Sequence, residues 1–141
     1  MKYILPTMAL VFTLSMAGAL HGGSLPGVVV ITNESARIDH ISATALKNVY
    51  TGRTTYWDGG EHVVIIVLAD KTDEALSEVS GMDASQFRTF WQRLVFSGRG
   101  EEPRTAVDAA SLVILVGSTK GAIALAPADA PLKGVKTLEL K

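Results

Sequence analysis

Residues 63–68 read Val63-Val64-Ile65-Ile66-Val67-Leu68, an unbroken run of apolar and mostly β-branched side chains. Such a run is typical of a strand that is buried on both faces. It follows a turn-forming sequence, Trp57-Asp58-Gly59-Gly60, and leads into a segment after Ala69 whose pattern becomes helical. Because a strand without a polar face needs a cover above and below, this stretch predicts an α/β protein.

The same alternation continues on both sides of that strand. We predict strands at 28–31, 63–68, 104–107, 121–125 and 135–140, with helix N-caps at Ser42, Asp70, Asp83 and Asp108 and helix ends near Gly52, Gly81, Ser97 and Gly117. Buried strands that alternate with amphipathic helices predict a mostly parallel sheet with helices on both faces.

The most regular helix pattern lies after Asp83, where Asp83-x-x-Gln86 approximates a capping box. The following apolar residues recur at helical spacing: Phe87, Phe90, Trp91, Leu94 and Val95. This stripe predicts that Trp91 belongs to the hydrophobic core and is not a ligand platform.

The N-terminus predicts export. Lys2 precedes an uncharged, mostly apolar run, and Ala17-Gly18-Ala19 has the small residues that signal peptidase requires before Leu20. We therefore predict a signal peptide at 1–19, a flexible segment at 20–27 and a single domain at 28–141, located in the periplasm or secreted. The alternative is an uncleaved membrane anchor, which would also place the domain outside; the mature form is expected to have no membrane span.

Composition and motifs exclude several classes of function. The formal net charge of the 141 residues is −1, so no overall basic field attracts nucleic acid. The sequence has no cysteine, and its 3 histidines lack the spacing of a metal site. No Gly-x-Ser-x-Gly nucleophile elbow, Walker phosphate-binding loop or dinucleotide glycine fingerprint is present. We expect neither an enzyme nor a cofactor nor a bound metal.

Anion binding at helix N-termini is the remaining chemistry, because free N–H groups and the positive end of the helix dipole attract anions. The candidates are the helix starts at Ser42 and at Asp70 and Thr72, and the loop Ser97-Gly98-Arg99-Gly100, where Arg99 would make a forked contact. In the alternative reading, the first residues are ordinary helix caps and Arg99 pairs with Glu101 or Glu102 on the surface.

Several segments together resemble a known family. They are residues 46–53 with Trp57-Asp58-Gly59-Gly60, residues 90–100, and Gly121-Ala122-Ile123-Ala124. In this order they are similar to the phosphate-type substrate-binding proteins of ABC importers, specifically to short, single-lobe relatives. The resemblance implies one lobe of a type 2 periplasmic-binding-protein fold, and a ligand site at helix N-termini that faces a second lobe.

The resemblance also implies which residues face the ligand. By this resemblance, Asp70 would be an acid that faces the ligand and Thr72 would donate a hydrogen bond from its hydroxyl. The glycines of the family's phosphate-binding turn are absent, and Asp73 and Glu74 follow instead. A basic residue expected before the turn is replaced by Leu68. From these departures we expect the isolated lobe to bind phosphate weakly or not at all, with Arg99 as the main side-chain contact.

The resulting hypothesis is an exported solute-binding lobe, linked by resemblance to phosphate or another small oxyanion in ABC-type uptake. Its partners would be an ABC permease or a second, self-associated lobe. The alternative is an exported interaction module that binds no small ligand and uses the former lobe–lobe surface for a protein partner or for self-association.

We predict that the exported protein begins at or near Leu20, because Ala17 and Ala19 satisfy the signal peptidase requirement. Intact-mass spectrometry of the exported protein would measure its first residue. A product that retains residues 1–19 and fractionates with membranes would establish the anchor instead.

Overall fold

The computed structural model describes residues 25–69 and 71–141. The predicted signal peptide at 1–19, the residues up to 24 and the predicted ligand residue Asp70 lie outside the described residues. The strands are β1 (Val28–Asn33), β2 (His40–Ile41), β3 (Val64–Leu68), β4 (Arg104–Ala106), β5 (Ala122–Pro127) and β6 (Val135–Leu140). The helices are α1 (Ala43–Tyr50), α2 (Asp73–Ser80), α3 (Ala84–Phe96) and α4 (Ala109–Ser118).

The strands form one six-stranded sheet in the order β2-β6-β1-β5-β3-β4. The pairs β2 with β6, β3 with β5 and β3 with β4 are parallel. Strand β1 runs antiparallel to both of its neighbours, β5 and β6. The predicted fold class is confirmed: the sheet is mostly parallel, and the antiparallel contacts come from β1 alone.

The helices cover both faces of this sheet. Successive residues of β3 point to opposite sides: Ile65 packs in a cluster with α1, α2 and α3, whereas Ile66 packs in a second cluster with α4. Val30 and Ile31 of β1 divide between the two clusters in the same way. Strands with apolar side chains on both faces therefore have the two-sided cover that their sequence predicts.

Local signals in the sequence fix most helix starts. Ser42 Oγ accepts a hydrogen bond from the Ala45 N–H at 3.0 Å, and Asp108 accepts one from the Ser111 N–H at 2.7 Å. Asp83 and Gln86 form a complete capping box. Each of these side chains satisfies a backbone donor that the first turn of a helix leaves unpaired.

The start of α2 differs from the prediction. Its N-cap residue is Thr72 and its first helical residue is Asp73, so the helix does not begin at Asp70. Its other end is as predicted, since Gly81 adopts the left-handed conformation at φ 76° and closes the helix.

The end of α4 lies one residue beyond Gly117, since the helix includes Ser118. Glycine is required there by packing: a Cβ on Gly117 would lie 2.9 Å from the Gly134 carbonyl oxygen. The buried Asn33 donates hydrogen bonds from Nδ2 to the Val116 and Gly117 carbonyls at 2.9 and 3.1 Å. This side chain donates to carbonyls that the last turn leaves without a helical partner.

The two-residue strand β2 was not predicted, since so short a run has no periodicity to detect.

Among the residues that the structure describes, no helix is both long enough and apolar enough to span a membrane.

Trp91→Ala is expected to destabilise the fold by about 3–5 kcal/mol, the usual cost of emptying a buried aromatic site. Trp91 is only 5% exposed, its ring centroid lies 6.2 Å from that of Phe87, and its Nε1–H donates to the Tyr50 carbonyl at 3.1 Å. Denaturant unfolding followed by circular dichroism would measure the change. Phe96→Ala is the matched control, because this aromatic side chain of the same helix is 96% exposed. Equal effects of the two changes would contradict a core role for Trp91.

Candidate functional site

The carboxyl ends of three strands lie at one edge of the sheet, here called the upper edge, and each leads into a helix. Strand β3 leads to α2, and β4, which is parallel to β3, leads to α4. Strand β2 is parallel to β6 and leads to α1. Since β6 and β3 both run antiparallel to the direction of β1, all three helix N-termini point towards the upper edge. Open α/β sheets bind ligands at this edge.

Two of these helix N-termini are already capped by their own side chains. Ser42 Oγ is bonded to the Ala45 N–H at the start of α1, and Asp108 is bonded to the Ser111 N–H at the start of α4. Ser42 therefore acts in the structure as the ordinary cap that the sequence left open as an alternative. Strands β6, β1 and β5 also separate β2 from β3, so Ser42 does not lie beside the start of α2.

The start of α2 is different, because its N-cap residue Thr72 makes no side-chain capping hydrogen bond. Thr72 is also buried, at 5% exposure. The first turn carries two acids, Asp73 and Glu74, both exposed. The first N–H groups of α2 thus donate no hydrogen bond to the N-cap side chain, and two acidic side chains lie in the same turn.

One positive charge lies close to this helix start. Lys71 precedes Thr72 and interacts electrostatically with Asp108, the N-cap residue of α4. Hydrogen bonds from the Ser111 backbone and side chain hold the pKa of Asp108 below its usual value, and the Lys71 charge lowers it further. The starts of α2 and α4 are therefore electrostatic neighbours. Lys71 belongs to the candidate helix start Asp70-Lys71-Thr72 of the sequence, but its effect on Asp108 follows only from the tertiary structure.

The predicted loop Ser97-Gly98-Arg99-Gly100 lies elsewhere, at the C-terminus of α3. The Gly98 N–H donates to the Val95 carbonyl and the Arg99 N–H donates to the Leu94 carbonyl, with Gly98 at φ 74°. This pattern is the Schellman motif that ends many helices. The Ser97 hydroxyl also donates to Leu94. The N–H groups of Gly98 and Arg99 are consequently engaged within the protein, at the negative end of a helix dipole.

The two groups of predicted residues do not form one site. Gly98, Arg99 and Gly100 line a cavity together with Val63 and Val64, at the amino end of β3. Thr72 follows the carboxyl end of the same strand. Ser42 and Thr72 lie at the upper edge, the Arg99 loop lies near the opposite edge, and Asp70 is outside the described residues.

In residues 25–69 and 71–141, no group of three or more potential metal ligands comes together. The two described histidines lie on separate elements. His40 begins β2, and His62 forms a single antiparallel bridge with Tyr56.

Comparison with known proteins identifies the class of fold. No family model and no curated protein matches the sequence. Solved structures do match. A candidate phosphate ABC transporter substrate-binding protein from Clostridium perfringens, solved with bound phosphate, superposes with a TM-score of 0.63 at 19% identity. The match covers 81% of this chain and 44% of that chain.

Two further solved structures agree with this result. A phosphate-binding protein from Stenotrophomonas maltophilia gives a TM-score of 0.59 at 14% identity, covering 82% of this chain and 39% of that one. An ABC-type phosphate transport receptor from Vibrio cholerae gives 0.56 at 14% identity, covering 81% and 46%. This chain therefore spans less than half the length of each of these three proteins. Its fold is that of one lobe of a phosphate ABC transporter substrate-binding protein, as the sequence resemblance predicted.

Asp108→Asn is expected to lower the melting temperature at pH 7 and to lose this effect in acid. A carboxyl group whose pKa is lower in the folded state stabilises the protein at pH values above its pKa in the unfolded state, near 3.8. This stabilisation is lost as the pH falls through the pKa of the folded state. Asparagine keeps the capping geometry, so the comparison isolates the charge.

Thermal unfolding of both proteins between pH 7 and pH 2 would measure the difference. Asp129→Asn, which removes the same charge from the exposed turn after β5, corrects for net charge. A difference that persists unchanged at pH 2 would show that the Asp108 charge does not stabilise the start of α4.

Proposed function

We propose that this chain is an exported, single-lobe solute-binding protein that takes a small oxyanion, phosphate in the first place, at the start of α2. The observation that carries the proposal is the helix start itself. The Thr72 side chain makes no capping hydrogen bond, whereas the N-cap side chains of α1, α3 and α4 all do. An oxyanion at this position would accept the hydrogen bonds that a capping side chain otherwise takes.

Three further features support this assignment. The site lies at the carboxyl end of β3, where open α/β sheets bind their ligands. Lys71 supplies a positive charge beside it. The solved structures with the same fold include proteins described as phosphate-binding and one with phosphate bound. Transport by an ABC permease, and the role of Asp70 as a ligand, extend the proposal from this likeness.

The affinity of the single lobe is expected to be low. Asp73 and Glu74 place two negative charges in the first turn of α2, next to the proposed anion. A half-cleft also leaves one side of the ligand in water, where a charge pair at ~4 Å contributes only about 1 kcal/mol. We propose that a second lobe, either another copy of this chain or a partner protein, closes over the ligand in the functional state.

A second candidate function is an interaction module that binds no small ligand. Val107 favours it, because this apolar side chain is 81% exposed at the upper edge, directly after β4. An isolated exposed valine is common on protein surfaces, but here it lies on the surface that would face a second lobe. Self-association through this edge would cover it.

Glu74→Gln is expected to raise phosphate affinity about two- to fivefold, because it removes a repulsive charge from the first turn of the helix. Lys71→Gln is expected to lower it. A ¹⁵N NMR titration with phosphate at constant ionic strength would follow the amides of residues 71–75 in each variant. Glu78→Gln is the matched control, since it changes the net charge equally on the same helix but one turn further from the proposed site.

Equal affinity in the Glu74 and Glu78 variants, or no saturable shift at these amides in any variant, would contradict phosphate binding at α2. Sedimentation velocity on the same samples tests the interaction module. A concentration-dependent dimer that Val107→Ser dissociates, without any phosphate effect, would establish that second function instead.

A further inference from the structure

A cavity of about 320 Å³ opens at the amino end of β3, near the edge opposite the proposed phosphate site. Its floor is apolar and consists of Val49, Ile65 and Trp91, all buried. A volume of this size lies in the range of small-molecule sites, roughly 300–1,000 Å³. It is too large for a single inorganic anion and has an apolar base that such an anion would not use.

Glycines fix one wall of the cavity against its floor. A Cβ on Gly100 would lie 2.9 Å from Cζ3 of Trp91, so the loop after α3 lies directly on the indole ring. Gly52, which does not line the cavity, packs against the same ring, since a Cβ there would lie 3.4 Å from Cη2 of Trp91. The hydrogen bond from Trp91 Nε1 to the Tyr50 carbonyl holds the ring in place. Close packing and this hydrogen bond therefore fix the floor and this wall relative to each other.

Aromatic rings form the second wall. Tyr56 and His62 pair across an isolated antiparallel bridge, with ring centroids 4.2 Å apart and planes tilted by 39°. Tyr56 is 53% exposed although it is a large aromatic residue. An exposed ring beside an apolar floor offers a flat molecule both a stacking surface and a place to bury its edge.

The third component is a pair of guanidinium groups. Arg99 and Arg104 line the cavity, and so do Glu101 and Glu102. Within the described part of the chain, the single ion pair shorter than 4.0 Å joins Lys136 to Asp39. The pairing of Arg99 with Glu101 or Glu102, left open by the sequence, is thus absent. Since the Arg99 N–H closes α3, only its side chain is available to a ligand.

We propose that this cavity binds a small aromatic carboxylate, with its ring on the apolar floor beside Tyr56 and its carboxylate held by Arg99 and Arg104. The planar fork of a guanidinium matches a carboxylate and forms charge-assisted hydrogen bonds with it. The two glutamates in the same wall favour a singly charged ligand over a phosphate dianion, because like charges repel. The site is separate from the start of α2 and does not depend on phosphate binding there.

Benzoate is a suitable probe, and benzamide is its neutral counterpart of the same shape. In ¹⁵N NMR titrations of the purified protein, benzoate is expected to shift the amides of His62, Gly98 and Gly100 and the Trp91 indole N–H in a saturable manner. Benzamide is expected to bind about tenfold more weakly, since it lacks the charge that the guanidinium groups recognise.

Arg99→Gln and Arg104→Gln are each expected to weaken benzoate binding about tenfold. Arg93→Gln is the matched control: this exposed arginine lies in the last turn of α3 and does not line the cavity. All three replaced side chains are exposed, so the variants should remain folded.

Equal affinity for benzoate and benzamide, or an equal loss in the Arg93 variant, would overturn the proposal. So would benzoate shifts confined to residues 71–75, which would assign the anion to the start of α2. A protein that binds benzoate in the cavity but shows no phosphate effect at α2 would support this site and contradict the proposed phosphate function alone.

Discussion

The structure depends on the central strands being buried on both faces. Ile65 and Ile66 are neighbours in β3, yet they belong to two separate clusters on opposite sides of the sheet. Burying the apolar side chains on both faces of these strands is the main favourable contribution to folding. This burial requires helices on both sides of the sheet. The three helices on one face and α4 on the other follow from this requirement. So does the direction of the helices, because each must return across the sheet to reach the next parallel strand.

This direction gives the two edges of the sheet different electrostatic character. The N-termini of α1, α2 and α4, which are the positive ends of their helix dipoles, lie at the upper edge. Near the opposite edge, α3 ends in a Schellman motif at Gly98. An anion at the upper edge can therefore use backbone dipoles. Near the opposite edge an anion must be bound by side chains, here Arg99 and Arg104.

The likeness to phosphate-binding proteins concerns the fold. What this chain could bind depends on its own residues at the upper edge. The match covers only 44% of the C. perfringens protein, so the likeness extends to less than half of that chain. Two of the three helix starts at the upper edge are occupied by Ser42 and Asp108. What remains for an oxyanion is the start of α2, next to Lys71 and opposed by Asp73 and Glu74. The proposed function therefore depends on this one helix start and on a second lobe that would close over it.

Local sequence patterns determined most of the secondary structure and the fold class. The caps at Ser42, Asp83 and Asp108 and the apolar runs of β1 and β3 depend on neighbouring residues, so they can be recognised without tertiary information. The helix end near Gly117 was predicted to within one residue, but the need for a glycine there comes from the distant Gly134 carbonyl, which no local pattern reveals. The two-residue β2 was missed because it exists only through its pairing with β6.

The candidate sites were decided by the tertiary structure. The sequence placed Thr72 and Arg99 among the anion contacts, but β3 separates them, since one lies past its carboxyl end and the other near its amino end. Similarly, Lys71 approaches Asp108, and Tyr56 and Arg104 line one cavity, only because strands distant in sequence are adjacent in the sheet. The sequence by itself thus determined which segments form strands and helices, whereas strand order decided which side chains meet, because contacts between distant segments leave no local pattern.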